Sequence, residues 1–301
     1  MTRLEWCRAN APDTYADYSD EDLLRVMFES SKEFEDEFEP DEEEHDNAEL
    51  DPINSYLDEM VHVLVRIFGN KLAFKGGYML TKLLPYVARQ TTDIDFSIQS
   101  SDIYQDLIAT MKRIGDKFIE RGYIERYVIK ETIKPTMSGG MDMYASDGRK
   151  ILGIDVGWHD ITFGTTTATI DQTNLRCFEI ERMLADKVCA ILSRKRFRRP
   201  KDIYDVYCIT NCFNFSVEKV NQYIILRTNG AGADWQNYPF SNAVLVQYEK
   251  CYDSLKLASI YKEKQLDRPK FETVIRRFEQ ICDGLQNKPT SNWSCKEATF
   301  I

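Results

Sequence analysis

The sequence lacks the long apolar runs that a membrane helix requires. No stretch approaches the roughly 18 uninterrupted apolar residues of a membrane span. The first residues, Met-Thr-Arg-Leu-Glu-Trp, also lack the basic-then-apolar order of a secretion signal. These two absences predict a cytoplasmic location and no membrane partner.

Spacing patterns for a cysteine or histidine metal site are absent too. The eight cysteines include no Cys-x-x-Cys pair, and the three histidines are widely scattered. A zinc site therefore has no support from spacing. The scatter favours reduced thiols over a disulfide framework.

The chain has no excess of positive charge, because 49 acidic residues outweigh 39 lysines and arginines and give a net charge of −10. This balance argues against non-specific binding to long DNA. The charge is unevenly spread, however. Residues 33–46 hold ten acidic side chains and residues 194–201 hold six basic ones. A local site for an anion therefore stays compatible with the negative total.

Three regions differ in their hydrophobic pattern. Residues 1–50 are predicted to be an acidic, partly helical arm. Residues 51–174 mix amphipathic helices with strands, and residues 175–301 show helical patterns followed by a flexible tail beyond Asn287. We expect an α+β fold, with a mixed sheet and flanking helices in a catalytic domain and a helical C-terminal domain.

Two predicted strands carry carboxylates on one face. Over residues 92–98, alternation puts Asp93 and Asp95 opposite a core face, and over residues 151–156 it does the same for Asp155. If the strands are neighbours, the three carboxylates lie together. Such a group calls for a hard divalent cation, Mg²⁺ or in its place Mn²⁺, because like charges at close range repel. Taken alone, an Asp-x-Asp pair is more often a solvated strand face.

A glycine pair precedes this motif. Lys75-Gly76-Gly77 lies between a predicted strand and a predicted helix, where backbone N–H groups can approach a phosphate. A plain tight turn would explain a lone glycine pair equally well. The order of strand, glycine turn, helix and Asp-x-Asp strand is much rarer by chance and favours a nucleotide site.

The ordered motifs resemble the AbiEii/AbiGii toxin family of nucleotidyltransferases, within the polymerase-β-like superfamily. The residues that carry this resemblance are Lys75-Gly76-Gly77, Arg89, Thr92-Asp93-Ile94-Asp95, Ile154-Asp155-Val156, Lys187 with Arg194 seven residues later, and Asp202-Ile203-Tyr204-Asp205. They span residues 75–205, and no motif of the family lies in 1–50 or 230–301. Gly77 stands where many superfamily members have serine.

The resemblance implies a polymerase-β-like fold and Mg²⁺-dependent transfer of a nucleoside monophosphate from an NTP to a hydroxyl. It further implies the toxin of a toxin–antitoxin or phage-defence system, with GTP or CTP as donor, the 3′ end of tRNA as acceptor and a cognate antitoxin as partner. The implied roles are metal binding by Asp93, Asp95 and Asp155, catalysis by these three with Lys187, and nucleotide binding by Lys75, Gly76, Gly77, Thr92, Lys187, Arg194, Asp202 and Asp205.

Two other functions remain open from the sequence. The acceptor could be a small molecule such as an aminoglycoside, or a protein, and the −10 net charge would suit a cationic acceptor. The chain could also be a non-catalytic nucleotide-binding or partner-binding relic of the fold. Calorimetry separates this last reading from an enzyme, because a relic would bind no NTP in a Mg²⁺-dependent way.

Overall fold

The protein is described from a computed structural model, in which residues Asn47–Ile301 form one compact unit. The described residues are 50–84, 89, 91–98, 101–130, 139–158, 160–170, 172–193, 199–253 and 269–301. The acidic arm predicted for residues 1–50 lies outside this description except for Leu50.

The first part of the chain alternates helices and strands. Its elements are α1 (Leu50–Phe68), β1 (Leu72–Lys75), α2 (Gly76–Leu83), β2 (Asp93–Ile98), α3 (Ser101–Glu120), β3 (Arg126–Lys130), β4 (Gly139–Tyr144), β5 (Lys150–Trp158), β6 (Thr165–Ile170) and β7 (Thr173–Phe178). The second part is mainly helical. Its elements are α4 (Ile180–Leu192), α5 (Arg199–Cys212), β8 (Phe215–Ser216), α6 (Val217–Arg227), α7 (Asn242–Asp253), α8 (Phe271–Asn287), β9 (Asn292–Ser294) and β10 (Thr299–Phe300).

Seven strands form one mixed sheet in the order β3-β4-β5-β2-β1-β7-β6. β2 pairs with β5 in parallel and with β1 in the antiparallel sense, while β1 and β7 are parallel. Helices flank this sheet, so the predicted α+β fold with a mixed sheet is confirmed. The central place of β2 matters most, because it puts the Asp-x-Asp motif between two neighbouring strands.

Apolar alternation fixes the faces of the central strands. In β2, Ile94, Phe96 and Ile98 are fully buried. In β5, Leu152 and Ile154 are buried in the same way. The opposite faces of both strands are thereby left to the polar residues, because side chains alternate along a strand.

Strand β7 of the main sheet was missed from the sequence, and the predicted tail is wrong. β7 crosses residue 175, where the helical region was expected to begin, and it completes the sheet beside β1. Beyond Asn287, β9 and β10 form a small sheet with β8. Trp293 is fully buried there and donates its indole N–H to Thr210 O at 2.7 Å. The C-terminus is therefore packed onto the helical region, because the tryptophan ring supplies the apolar area that a loose tail would lack. The separation of 51–174 and 175–301 into two domains stays a prediction.

Among the described residues, no helix has both the length and the apolar character needed to cross a bilayer. The seven described cysteines are free thiols. Burial raises the pKa of the Cys177 and Cys189 thiols to about 11, so neither is an activated thiolate.

Candidate active site

The three predicted carboxylates lie on one face of two adjacent strands. Asp95 of β2 is the direct neighbour of Asp155 of β5, and Asp93 is the neighbour of Gly153. The expectation that the two strands are neighbours is therefore met. Parallel register brings Asp95 and Asp155 side by side, while Asp93 lies two residues earlier in β2 on the same face.

Two glycines leave room for these carboxylates. A Cβ atom on Gly76 would overlap Asp95 Oδ2, and a Cβ on Gly153 would overlap Asp93 Oδ1. Gly76 also has a φ of +70°, a conformation that residues with a Cβ rarely adopt. The glycine at each position is thus required by the close approach of an aspartate.

The pKa of the Asp95 carboxylate is raised above its usual value. Burial raises its pKa, and the neighbouring charges of Asp155 and Asp93 act in the same direction. Lys75 and Lys187 oppose this rise, which places both cations within electrostatic range of Asp95. A carboxylate of this kind is costly to keep ionised without a compensating cation.

Two lysines that the sequence did not single out contact the carboxylate face. Lys130 Nζ lies 2.8 Å from Asp155 Oδ1, and Lys150 Nζ lies 3.0 Å from Asp93 Oδ1. Both ammonium groups also contact Asp142 Oδ1, at 3.1 and 3.0 Å respectively. Burial lowers the pKa of each lysine, but the aspartates reverse this and hold both values above the usual range. Asp142 therefore contacts both of the lysines that pair with the predicted carboxylates.

A β-bulge explains why Lys150 was missed. The register between β4 and β5 shifts at Met143/Tyr144, so that Tyr144 pairs with Lys150. Strict alternation from Asp155 would put Lys150 on the core face. The bulge turns its side chain onto the carboxylate face instead, as bulges commonly do near functional sites. Asp142 and Lys130 follow ordinary alternation and could have been found from the strands already predicted.

A buried ion-pair cluster connects α4 with α5. Lys187 Nζ lies 2.5 Å from Asp202 Oδ1 and 2.8 Å from Asp205 Oδ2. Arg89 also donates to Asp205, through Nε at 3.1 Å and Nη2 at 3.2 Å. Burial lowers the pKa of Lys187, but the charges of Asp202 and Asp205 outweigh this and raise it overall. Lys187 is therefore a fixed cation close to Asp95, and the two aspartates hold it in place.

Lys75 lies on the other side of Asp95. The two residues are direct partners in β1 and β2, and Lys75 Nζ lies 5.5 Å from the centre of the Phe178 ring. Burial lowers the pKa of Lys75, and the charges of Asp186 and Asp95 counter this effect. Asp186 in turn accepts a hydrogen bond from Arg227 at 2.7 Å.

The remaining predicted residues have different environments. Gly77 packs tightly, because a Cβ there would come within 3.1 Å of Arg89 Nη2. Thr92 is exposed, and its carbonyl accepts a hydrogen bond from Gly153 N at 2.9 Å. Arg194 lies outside the described residues.

The donor chemistry of the face suits a hard divalent cation. Its donors are carboxylate oxygens, which Mg²⁺ and Mn²⁺ prefer. Asp93 Oδ1 is buried and accepts no hydrogen bond of good geometry, although Lys150 lies at ion-pair distance. As the side chains lie, no three His, Cys, Asp or Glu residues of the described ranges are arranged as a metal cluster. The residue types fit a cation, while two of the carboxylates point at lysines.

Replacing Gly76 with Ala tests the fit between the α2 start and Asp95. The new methyl group must displace the Asp95 carboxylate, and the left-handed backbone adds strain of about 1–2 kcal/mol. We expect transfer activity to fall about 100-fold, because small misplacements of reacting groups have such effects. Gly148→Ala is the matched control, since Gly148 also has a positive φ but open space around it. Equal activities for the two variants would contradict this interpretation.

The chain matches a known family over most of its length. A sequence model described as "Nucleotidyl transferase AbiEii toxin, Type IV TA system" matches residues 60–279. This match includes the described carboxylates, the glycine pair and the Lys187 cluster. Comparison with curated proteins gives no significant match.

Solved structures of nucleotidyltransferases are distantly similar. A putative nucleotidyltransferase from H. pylori is 15% identical, with 78% of this chain and 95% of that chain covered and a TM-score of 0.43. An antigenic nucleotidyltransferase-like protein from Paracoccidioides brasiliensis is 16% identical, with 70% and 97% covered and a TM-score of 0.39. At these values the two structures support no assignment of residues or substrates.

Proposed function

The chain belongs to the AbiEii nucleotidyl transferase toxin family and is a nucleotidyltransferase, and on that premise we propose that it moves a nucleoside monophosphate from an NTP to an acceptor hydroxyl. The acceptor we propose is the 3′ end of tRNA, and the biological role is that of the toxin in a toxin–antitoxin or phage-defence system. GTP or CTP is the proposed donor. The cytoplasmic location stays a prediction, and so does a cognate antitoxin as partner.

One observation carries this proposal: Asp95 and Asp155 are neighbours, and two separate cations act on Asp95. Lys75 is the partner of Asp95 in β1, and the charges of Lys75 and of Lys187 in α4 both act on the Asp95 carboxylate. Transfer at phosphorus depends mainly on positioning and on neutralising charge, not on covalent chemistry by the protein. Carboxylates flanked by fixed cations are suited to that task.

The proposed reaction forms a bond between the acceptor oxygen and the α-phosphorus of the NTP, and it breaks the bond to the β-phosphate. Pyrophosphate leaves with the electron pair. Asp155, whose side chain is 44% exposed, is the candidate base for the acceptor proton. Lys187 stabilises the negative charge that develops on the leaving phosphates, and Asp202 and Asp205 keep it oriented.

Asp93 and Asp95, with Asp155, are the residues proposed to hold the divalent cation. When bound, a cation there would supply charge neutralisation between the carboxylates and the triphosphate. The first turn of α2 adds backbone N–H groups and the positive end of its dipole beside Asp95, while Lys75 adds a full charge. Thr92 and Arg194 are proposed nucleotide contacts.

The direct test is to incubate the purified protein with Mg²⁺, total tRNA and each NTP separately, and to measure the intact mass of the tRNA. We expect the mass to increase by one nucleoside monophosphate with the preferred NTP. Parallel reactions with aminoglycosides and with proteins identify the acceptor if it is not RNA. Absence of transfer to every acceptor from every NTP would reject the proposed function.

A further inference from the structure

The carboxylate face continues beyond Asp155 towards the edge strand β3. Register aligns Lys130, Gly140, Asp155, Asp95 and Lys75 in one row across five strands. Cations therefore lie on both sides of the carboxylates, Lys75 towards β1 and Lys130 towards β3. The proposed function uses the Lys75 side for the triphosphate, so the β3 side is left for the acceptor.

The β3 side carries an arginine that is stacked on a tyrosine. Arg126 at the start of β3 pairs with Tyr144 at the end of β4, and its guanidinium lies 4.1 Å from the ring centre. Arg126 is exposed, and among the described residues its guanidinium makes neither an ion pair nor a hydrogen bond. The stack thus orients a planar cation whose donors are not used by any of the described residues.

Arg126 and Tyr144 belong to the same face as the carboxylates. Alternation along β3 puts Arg126, Val128 and Lys130 on one side, and the contacts of Lys130 with Asp155 identify that side. Val128 is 42% exposed, so the face is open between the two cations. Arg126 lies about 13 Å along the strand from the carboxylate row, because each strand residue advances about 3.3 Å.

We propose that Arg126, Val128 and Tyr144 form an acceptor-binding surface, and that this surface takes the single-stranded end of an RNA. The inference rests on the proposed function, which supplies the reaction that the RNA end would undergo. A guanidinium fork matches phosphate oxygens, and guanidinium and aromatic planes both stack with bases. A cationic small acceptor would instead meet the guanidinium of Arg126, while Lys130 is already paired with Asp155 and Asp142.

The test measures RNA binding and NTP binding separately. We expect Arg126→Gln and Tyr144→Ala each to weaken the binding of a short fluorescein-labelled single-stranded RNA about tenfold, measured by anisotropy without NTP. Arg126→Gln should also reduce the salt dependence of RNA binding, because one phosphate contact is lost. Calorimetry with Mg²⁺ and the preferred NTP should give the wild-type affinity for both variants.

Two control variants distinguish this role from general effects. Arg276→Gln removes the same charge from an exposed arginine of α8, and Tyr144→Phe keeps the ring; both should bind the RNA as the wild type does. Equal losses for Arg126→Gln and Arg276→Gln, or no RNA binding by the wild type, would overturn the surface assignment. Transfer to an aminoglycoside without RNA binding would overturn it while leaving nucleotidyl transfer intact. Arg126-dependent RNA binding without any transfer would support the surface and reject the proposed function.

Discussion

Asp95→Asn is expected to lower nucleotidyl transfer by about 10³-fold or more, with little change in fold. The substitution keeps the shape of a side chain that lies between Asp155 and Lys75 but removes its charge. A 10³-fold loss corresponds to about 4 kcal/mol of transition-state stabilisation, which is within the range for a preorganised charged group. Single-turnover rates with saturating NTP and acceptor provide the measurement.

Stability should move in the opposite direction from activity. Burial already raises the pKa of Asp95, so the folded protein disfavours its ionised form. A neutral isostere removes this cost, and we expect the free energy of unfolding to be unchanged or higher in Asp95→Asn. Asp147→Asn is the control, because Asp147 lies exposed in the β4–β5 hairpin and should keep full activity. Full transfer by Asp95→Asn would refute the assigned mechanism.

Lys187→Met is expected to give the largest loss of stability, about 3–5 kcal/mol, because it leaves buried carboxylates without their cation. The exposed fractions of the Asp202 and Asp205 side chains are only 7% and 3%. Arg89 still pairs with Asp205 in this variant, so the cluster keeps one of its cations. Urea denaturation of the wild type and the variant measures the difference.

A second substitution separates the structural role of Lys187 from its catalytic role. Adding Asp202→Asn to Lys187→Met removes one of the two buried negative charges that Lys187 contacts, so we expect part of the stability to return. Activity should remain about 10²-fold low or lower, because the charge of Lys187 then no longer acts on the leaving phosphates. If the double variant regained activity together with stability, Lys187 would act only through the fold.

The sequence predicted the carboxylate face because that face follows from local alternation. Asp93, Asp95 and Asp155 alternate with apolar residues in short strands, so their common side could be inferred once the strands were recognised. The inference that the three carboxylates lie together required the two strands to be neighbours, and they are. Lys187, Asp202 and Asp205 were identified through the resemblance to the family, and their mutual ion pairs depend on how α4 packs against α5.

Other features depend on tertiary context that a single sequence does not contain. Lys150 reaches the carboxylates through a register shift, which no alternation pattern predicts. β7 was missed because Thr173–Phe178 lies directly before a helical region. The tail was misjudged for a related reason: Trp293 is buried by contacts with residues far away in sequence.

The position of β1 has a consequence for how the protein is made. β1 pairs on one side with β2, which follows it closely, and on the other with β7, where Phe74 meets Cys177. That second pairing closes a segment of about a hundred residues, and such non-local contacts form late and slowly. During synthesis the carboxylates therefore leave the ribosome well before the sheet and Lys187 can enclose them. A nascent chain should therefore lack nucleotidyl transfer until the residues up to Lys187 have been translated.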